Sequence, residues 1–129
     1  MVRYLTRLPR DQRSPLRARD WVARAMSGAL RPSEADQELN DHVVWCVNEL
    51  VSSALEECES GVTIKMSVES DTLHVAVVDD GPPSAGADFS KDHDDLLRLR
   101  IVNALADRWG ASATDTGHEA WVEFDLRRS

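Results

Sequence analysis

Cysteine is scarce in this chain of 129 residues, which contains only Cys46 and Cys58. If both lie on one helix, their positions are roughly 18 Å apart along its axis, which is beyond the reach of a disulfide. The sequence therefore predicts buried free thiols and a reducing compartment. It also lacks an apolar run long enough to span a membrane and the apolar core of a signal peptide. With no repeats or low-complexity tracts, the chain is expected to form one cytoplasmic domain over residues 1–129.

Basic residues are few beyond the first part of the chain. The net charge is −8, but residues 1–31 hold eight Arg and two acidic residues and carry +6, whereas residues 32–129 carry −14. An acidic body argues against nucleic acid as the principal ligand, because neutralising phosphates needs a basic surface. It suits a protein partner with a basic patch. The basic arm can dock on an acidic surface of its own chain or of a neighbour, and the alternative is that these are solvated surface charges.

Hydrophobic periodicity predicts two helices after a short edge strand at residues 2–8. Ser14, followed by proline, is typical of a helix N-cap, and this helix is expected to end near Gly28. Ser33, with Asp36 three residues later, is a capping-box variant that opens the second helix. The second helix carries a regular apolar stripe that defines its buried face: Leu39, Val43, Val47, Leu50, Ala54 and Cys58.

The rest of the chain alternates as strands around one further helix. Residues 62–68 and 73–78 are predicted to form a hairpin, and two closing strands are expected near 111–115 and 119–126. Residues 80–95 form a loop of functional length. This order predicts an α/β (α+β) sandwich, with helices on one face of a mixed, mostly antiparallel sheet.

The third helix is expected to open at Asp94 and Asp95, where carboxylates complement the helix dipole, and to be capped at its end by Gly110. Its predicted inward face consists of Leu97, Ile101, Ala104 and Leu105. Before it, the run from Asp92 to Asp95 is interpreted as a solvated loop and not as a metal site.

Two groups of polar residues are candidates for a binding site. Glu49 and Ser53 share one face of the second helix, which lines a cleft or forms a solvated flank. His42 and Cys46 lie on the same stripe, whereas Trp45 lies away from the apolar stripe and is expected to be exposed and to mark a partner site.

The second group follows the apolar strand ending at Val78. Asp79 comes directly after it and is followed by Asp80, Gly81 and two prolines. A carboxylate at the end of a buried strand needs a hydrogen-bond partner. On the residues alone, Asp79 is interpreted as a turn-capping aspartate.

Three segments, taken in order, resemble one family. They are Glu49-Leu50-Val51-Ser52-Ser53-Ala54, the strand running into Asp79-Asp80-Gly81, and Leu99-Arg100-Ile101-Val102-Asn103-Ala104-Leu105-Ala106-Asp107-Arg108-Trp109-Gly110. Their order and spacing resemble the GHKL family of ATP-binding domains, and most closely its stand-alone bacterial anti-sigma-factor serine kinases. The resemblance implies a Bergerat-type fold, ATP and Mg²⁺ as cofactors, and a protein partner.

The resemblance also implies roles for individual residues. Glu49 stands where the family has a base, whereas Ser53 stands where it has the Asn that ligates Mg²⁺. Asp79 and Gly81 resemble the first half of the adenine-recognition motif. Pro83 replaces the second glycine of that motif, which removes a donor and fixes φ.

The phosphate-binding turn departs furthest from the family pattern. Leu96 and Arg98 occupy the positions where relatives have glycines that expose backbone N–H groups to the phosphates. The acidic residues beside them repel a triphosphate by on the order of 1 kcal/mol each at surface dielectric. Arg98 and Arg100 can compensate in part and are the remaining candidates for contacting phosphate. A threonine that relatives place near the adenine aligns loosely with Glu119.

We therefore expect a regulatory protein of a bacterial partner-switching system, with a degenerate ATP pocket and a sigma factor or an anti-sigma-factor antagonist as its partner. The alternative is an active serine kinase with Glu49 as its base. A third interpretation is an oligomerisation domain, a homodimer for example, that uses the exposed sheet face or Trp45. Neither nucleic acid nor membrane is expected as a partner.

Overall fold

The computed structural model describes residues 2–34, 36–81 and 93–126, with the backbone alone for Val2 and for residues 93–98. Eight elements follow one another in these ranges. They are β1 (Val2–Pro9), α1 (Ser14–Ala29), α2 (Gln37–Glu57), β2 (Gly61–Glu69), β3 (Thr72–Asp79), α3 (His93–Leu105), β4 (Arg108–Thr114) and β5 (Gly117–Asp125).

The five described strands form one sheet in the order β1-β2-β3-β5-β4. Each of the four described pairings is antiparallel, which is the dominant pairing that the sequence predicted. β1 lies at the edge, as expected, and β2 and β3 form the predicted hairpin, in which Ser70 adopts a positive φ of 54° at the turn. The α+β fold class is therefore confirmed.

The three helices pack side by side on one face of this sheet. α1 contacts β1 and β2, α2 contacts β2, β3 and β5, and α3 contacts β4, while α2 also contacts both other helices. The whole predicted stripe of α2 is buried, so that prediction is confirmed. Strand residues on the same side, such as Ile64, Val75 and Val122, are fully buried against the helices. Each such side chain contributes about 1.5–3 kcal/mol by burial.

The opposite face of the sheet carries polar and charged side chains, as expected for an antiparallel sheet with one packed face. Arg108 pairs there with Glu123 and Asp125, and His74 lies 3.0 Å from Glu123 and stacks on the Trp121 ring. None of the described helices is both long and apolar enough to cross a membrane. Cys46 and Cys58 are both buried and free, as predicted.

The two helix starts differ from the predicted caps. Ser14 is the first helical residue, and its hydroxyl donates to the Pro9 carbonyl at 2.6 Å, so the preceding residue holds the N-cap position. For α2, Asp36 itself is the N-cap and accepts from the Leu39 N–H at 2.6 Å, while Ser33 lies outside the helix. A short carboxylate reaches the N3 amide directly, which explains why it takes the cap.

The inward face of α3 also differs from the prediction. Val102 is the buried residue, at 2 % exposure, whereas Ile101 and Leu105 are half-buried and Ala104 is exposed. The side chain of Leu97 lies outside the described residues. α3 contacts α2 on one side and β4 below it, so its burial does not follow a single stripe.

Gly110 does not cap α3 but lies within β4. After Leu105, the Asp107 N–H already donates to the Glu123 carbonyl at 3.0 Å, so sheet pairing begins within two residues of the helix. The last two strands therefore begin a few residues earlier than the sequence predicted. A side chain at Gly110 would overlap the Trp121 indole.

Candidate functional site

Glu49 and Ser53 lie on α2 above a small cavity that α3 and the last two strands close. The lining consists of Glu49, Leu50, Ser53, Leu99, Val102, Trp109, Gly110, Ala111 and Ala120. The volume is only ≈ 10 Å³, which is about the space that one water needs. The structure thus brings Glu49 and Ser53 together at one cavity, which is small where described residues line it.

Two further residues of the same α2 stripe are placed differently. Cys46 is fully buried, and burial, followed by the charge of Glu49, raises the pKa of its thiol to about 12. His42 is half-buried, with its ring 4.0 Å from Glu38 one turn earlier. Neither residue lines the cavity, so the polar part of this cavity comes from Glu49 and Ser53.

Asp79 lies at the end of β3 on the packed face of the sheet, and only 5 % of it is exposed. Its Oδ1 accepts from the Gly81 N–H at 2.9 Å and lies 3.0 Å from His118 Nδ1. Because an ionised carboxylate only accepts, that ring nitrogen carries the proton. Two donors thus compensate the burial of this carboxylate, which would otherwise be costly.

His118 comes to Asp79 through the pairing of β3 with β5, in which the two residues are direct partners. The loosely aligned Glu119 pairs with Val78 instead and lies on the opposite face of the sheet. The alternation of side chains along the strand could have identified this residue. His118 lies four positions before buried Val122 and so faces the same side of the sheet, whereas Glu119 faces the other side. The other ring nitrogen of His118, Nε2, is buried without a hydrogen-bond partner among the described residues.

Gly81 and Gly117 allow the backbone to close tightly around Asp79. A side chain at Gly81 would overlap the Glu57 carbonyl at the end of α2, and one at Gly117 would overlap the Asp79 carbonyl. Gly81 is therefore required by packing of backbone on backbone. In this structure its bare α-carbon faces α2.

Asp80 has a structural role beside Asp79. It accepts from the Ser60 hydroxyl and from the backbone N–H groups of Ser60 and Glu59, at 3.1 and 2.9 Å. The Ser60 hydroxyl and these amides hold the pKa of the Asp80 carboxyl well below its usual range. Arg7 on β1 adds a contact at 3.4 Å. Asp80 thus ties the connection between α2 and β2 to the end of β3.

The residues expected to face a phosphate chain are described only in part. Arg100 is exposed on α3 and does not line the cavity. The side chain of Arg98 and that of Leu96 lie outside the described residues, as does Pro83. Within the described ranges, no group of three or more His, Cys, Asp or Glu side chains is arranged to hold a metal ion.

No family model and no curated protein sequence matches the chain. Solved structures do match. The structure of the RsbU and RsbW domains of Rv1364c from Mycobacterium tuberculosis has a TM-score of 0.73 and 16% identity, covering 100% of this chain and 34% of that one. This chain therefore spans about a third of the length of that protein.

Two histidine kinase structures are also similar. The histidine kinase domain of the blue-light activated kinase from Erythrobacter litoralis EL346 has a TM-score of 0.57 and 21% identity, covering 84% of this chain and 61% of that one. The Acinetobacter baumannii histidine kinase AdeS has a TM-score of 0.58 and 14% identity, covering 97% and 70%. The chain therefore has the fold that these structures share.

Proposed function

We propose that this chain is a regulatory protein of a bacterial partner-switching system, which binds a protein partner through a GHKL-type domain with a degenerate nucleotide pocket. The partner we propose is a sigma factor or an anti-sigma-factor antagonist in the cytoplasm. The likeness to a structure that holds an RsbW domain supports this class of function. So does the sequence resemblance to anti-sigma-factor kinases.

The hydrogen bond between Asp79 and His118 is the observation that most supports the proposal. In the family that the sequence resembles, this aspartate accepts from the adenine amino group. Here its Oδ1 is engaged by the His118 ring at 3.0 Å and by the Gly81 amide at 2.9 Å. An adenine amino group would have to share an already buried carboxylate with two internal donors. We infer that the pair stabilises the fold without nucleotide.

The cavity under Glu49 and Ser53 supports the same conclusion. Ser53 replaces the metal-binding Asn, and a single hydroxyl is a weak ligand for Mg²⁺, which prefers carboxylates and phosphates in octahedral geometry. The cavity under Glu49 and Ser53 is only ≈ 10 Å³ and is lined on its other side by Leu99 and Val102 of α3. Close packing of this kind resists the displacement of these side chains.

Isothermal titration with ATP and Mg²⁺ tests the degenerate pocket. We expect no binding in the micromolar range for the native chain. The His118→Thr/Ser53→Asn variant serves as the comparison, because it removes one of the two donors to Asp79 and restores an amide ligand. Micromolar binding of ATP by the native chain would contradict the proposal.

Partner binding needs a separate measurement, because the pocket test concerns nucleotide alone. We expect a purified sigma factor or antagonist encoded beside this chain to co-elute with it on size-exclusion chromatography. Added ATP or ADP should leave the amount of complex unchanged. A complex that forms or dissociates only with nucleotide would show that the pocket still controls binding.

One observation favours the alternative of an active serine kinase. Glu49 and Ser53 line the same cavity, as a base and a metal ligand would need to do. On this alternative, ATP and a cognate antagonist yield phosphoserine, and Glu49→Gln abolishes the transfer. If no phosphoserine forms with the native chain, the alternative is wrong.

A further inference from the structure

β1 is an edge strand, which among the described strands pairs with β2 on one side only. The antiparallel pairing runs without a break and ends at Pro9, which lies opposite Gly61. The next residue, Arg10, donates its N–H to the Ser60 carbonyl at 3.0 Å. Arg10 therefore belongs to the set of residues whose backbone groups point towards β2.

The alternation of hydrogen bonds decides which residues of β1 face its open edge. In a regular antiparallel pair, every second residue exchanges backbone hydrogen bonds with the partner strand, and the residues between them point the other way. Counting back from Arg10 assigns the even-numbered residues of β1 to β2. The N–H and C=O groups of Arg3, Leu5 and Arg7 therefore point to the open edge. Pro9 has no N–H, so the part of the edge that can pair ends there.

The same three residues also turn their side chains away from the helices. Leu5 is 66 % exposed, and Arg3 and Arg7 are exposed on either side of it. The residues between them face the helical layer, where the Tyr4 hydroxyl lies against Gly28 of α1. An added antiparallel strand would therefore align its own side chains with those of Arg3, Leu5 and Arg7 on the open face of the sheet.

The open edge is basic around an apolar centre. Lys65 of β2 lies opposite Leu5, so cationic side chains surround Leu5 along its own strand and across the pair. Arg7 also contacts Asp80 at 3.4 Å, yet 52% of its side chain stays exposed. We call Arg3, Leu5, Arg7 and Lys65 the basic edge. An apolar side chain between two carboxylates on an incoming strand matches this pattern.

We propose that the basic edge binds an extended acidic segment of a partner protein, which adds to the sheet as a further antiparallel strand beside β1. Backbone hydrogen bonds to Arg3, Leu5 and Arg7 supply affinity, and the order of acidic, apolar and acidic side chains supplies specificity. The inference goes beyond the proposed function, because it depends neither on nucleotide nor on the class of protein that supplies the segment.

A second copy of β1 is a poor occupant of this edge. Antiparallel pairing of two β1 strands about Leu5 places Arg3 of one copy opposite Arg7 of the other, and this contact occurs twice. Like charges directly opposite one another destabilise a strand pair, whereas carboxylates at the same positions are attracted. Charge therefore favours a different protein as the occupant.

Hydrogen exchange of the full chain, followed by nuclear magnetic resonance, tests the added strand. The probe is the synthetic peptide acetyl-Ser-Glu-Thr-Val-Thr-Glu-Ser-amide, whose valine lies opposite Leu5 in the proposed pairing. We expect saturating peptide to slow exchange of the Arg3, Leu5 and Arg7 amides by about tenfold or more. The Thr6 amide, which already points to β2, should change little.

Two results of this experiment would overturn the proposal. One is that millimolar peptide leaves exchange of the Leu5 amide unchanged. The other is that this amide exchanges slowly without peptide in a chain that light scattering shows to be dimeric, which would mean that a second copy occupies the edge. The experiment contains no sigma factor, antagonist or nucleotide, so its failure is distinguishable from failure of the proposed function.

Leu5→Ser and Leu16→Ser are matched variants on the two sides of the molecule. Leu16 is 55 % exposed on α1, within the helical layer. We expect Leu5→Ser to weaken peptide binding by about tenfold, because the apolar contact with the valine is lost, and Leu16→Ser to leave it unchanged. Circular dichroism checks that both variants are folded. The reverse result would place the peptide on the helices and contradict the proposal.

A charge swap tests the direction of the added strand. Arg3→Glu should weaken binding of the original peptide, because Arg3 faces its second glutamate in the antiparallel pairing. Replacing that second glutamate by lysine should restore binding to the Arg3→Glu variant, whereas replacing the first glutamate should not. If neither peptide restores binding, or if only the peptide changed at the first glutamate does, the proposed pairing is wrong.

Discussion

At the end of β3, two neighbouring carboxylates stabilise the fold through different partners. Asp79 accepts from the His118 ring and the Gly81 amide on the packed face of the sheet. Asp80 accepts from Ser60 and the backbone after α2. The turn-capping interpretation of Asp79 needed only local sequence, because Gly81 is two residues away. The bond to His118 spans 39 residues and depends on strand register, which no local pattern contains.

Replacing His118 measures that long-range bond. In the His118→Ala variant, Asp79 stays buried with one donor fewer, so we expect the free energy of unfolding to fall by about 1–3 kcal/mol. Urea denaturation at neutral pH measures the change. Glu119→Ala is the control, because this next residue lies on the opposite face and should shift stability by about 0.5 kcal/mol or less. Equal losses in both variants would contradict the assigned role of the pair.

At the scale of elements, the sequence predicted the buried face of α2 correctly but not that of α3. α2 lies between α1 and α3 on the sheet, and its predicted apolar stripe is buried throughout, with Cys46, Val51 and Ser53 buried beside it. α3 packs against α2 and β4 in two directions, and the stripe of Ile101, Ala104 and Leu105 forms the wall of a surface groove instead. Periodicity finds an apolar face but does not show whether that face meets the sheet or a neighbouring helix.

The corrected orientation of α3 gives a second prediction. Val102→Ala removes two methyl groups from a side chain that is 2 % exposed, so we expect a loss of about 1–3 kcal/mol. Ala104→Ser, at an exposed position of the same helix, should leave stability nearly unchanged. Chemical denaturation of both variants measures the two changes in the free energy of unfolding. If Ala104→Ser costs more than Val102→Ala, the face of α3 assigned to the core is wrong.

At the scale of the whole molecule, the rate at which the buried cysteines react with a reagent measures how often the whole fold opens. Cys46 is fully buried and its thiol pKa is raised to about 12, so little thiolate is present near pH 8. We expect Cys46 in the native chain to react with a thiol reagent only as fast as the fold opens, and both cysteines to react at once in urea. Ser112→Cys, at an exposed position of β4, provides the fast reference. Native Cys46 reacting as fast as that reference would contradict its burial.

The sequence by itself determined the elements whose pattern repeats within a few residues: the edge strand, the hairpin, the buried stripe of α2 and hence the α+β class. It also placed Glu49 and Ser53 on one helix face and Asp79 beside its turn. Only the tertiary structure decided that His118 pairs with Asp79, that Ser53 lines a small cavity with α3 and the last two strands, and that Trp45 borders a groove with α3. These features arise from strand register and from helices packing on one another, which join residues far apart in the chain and leave no periodic signal in it.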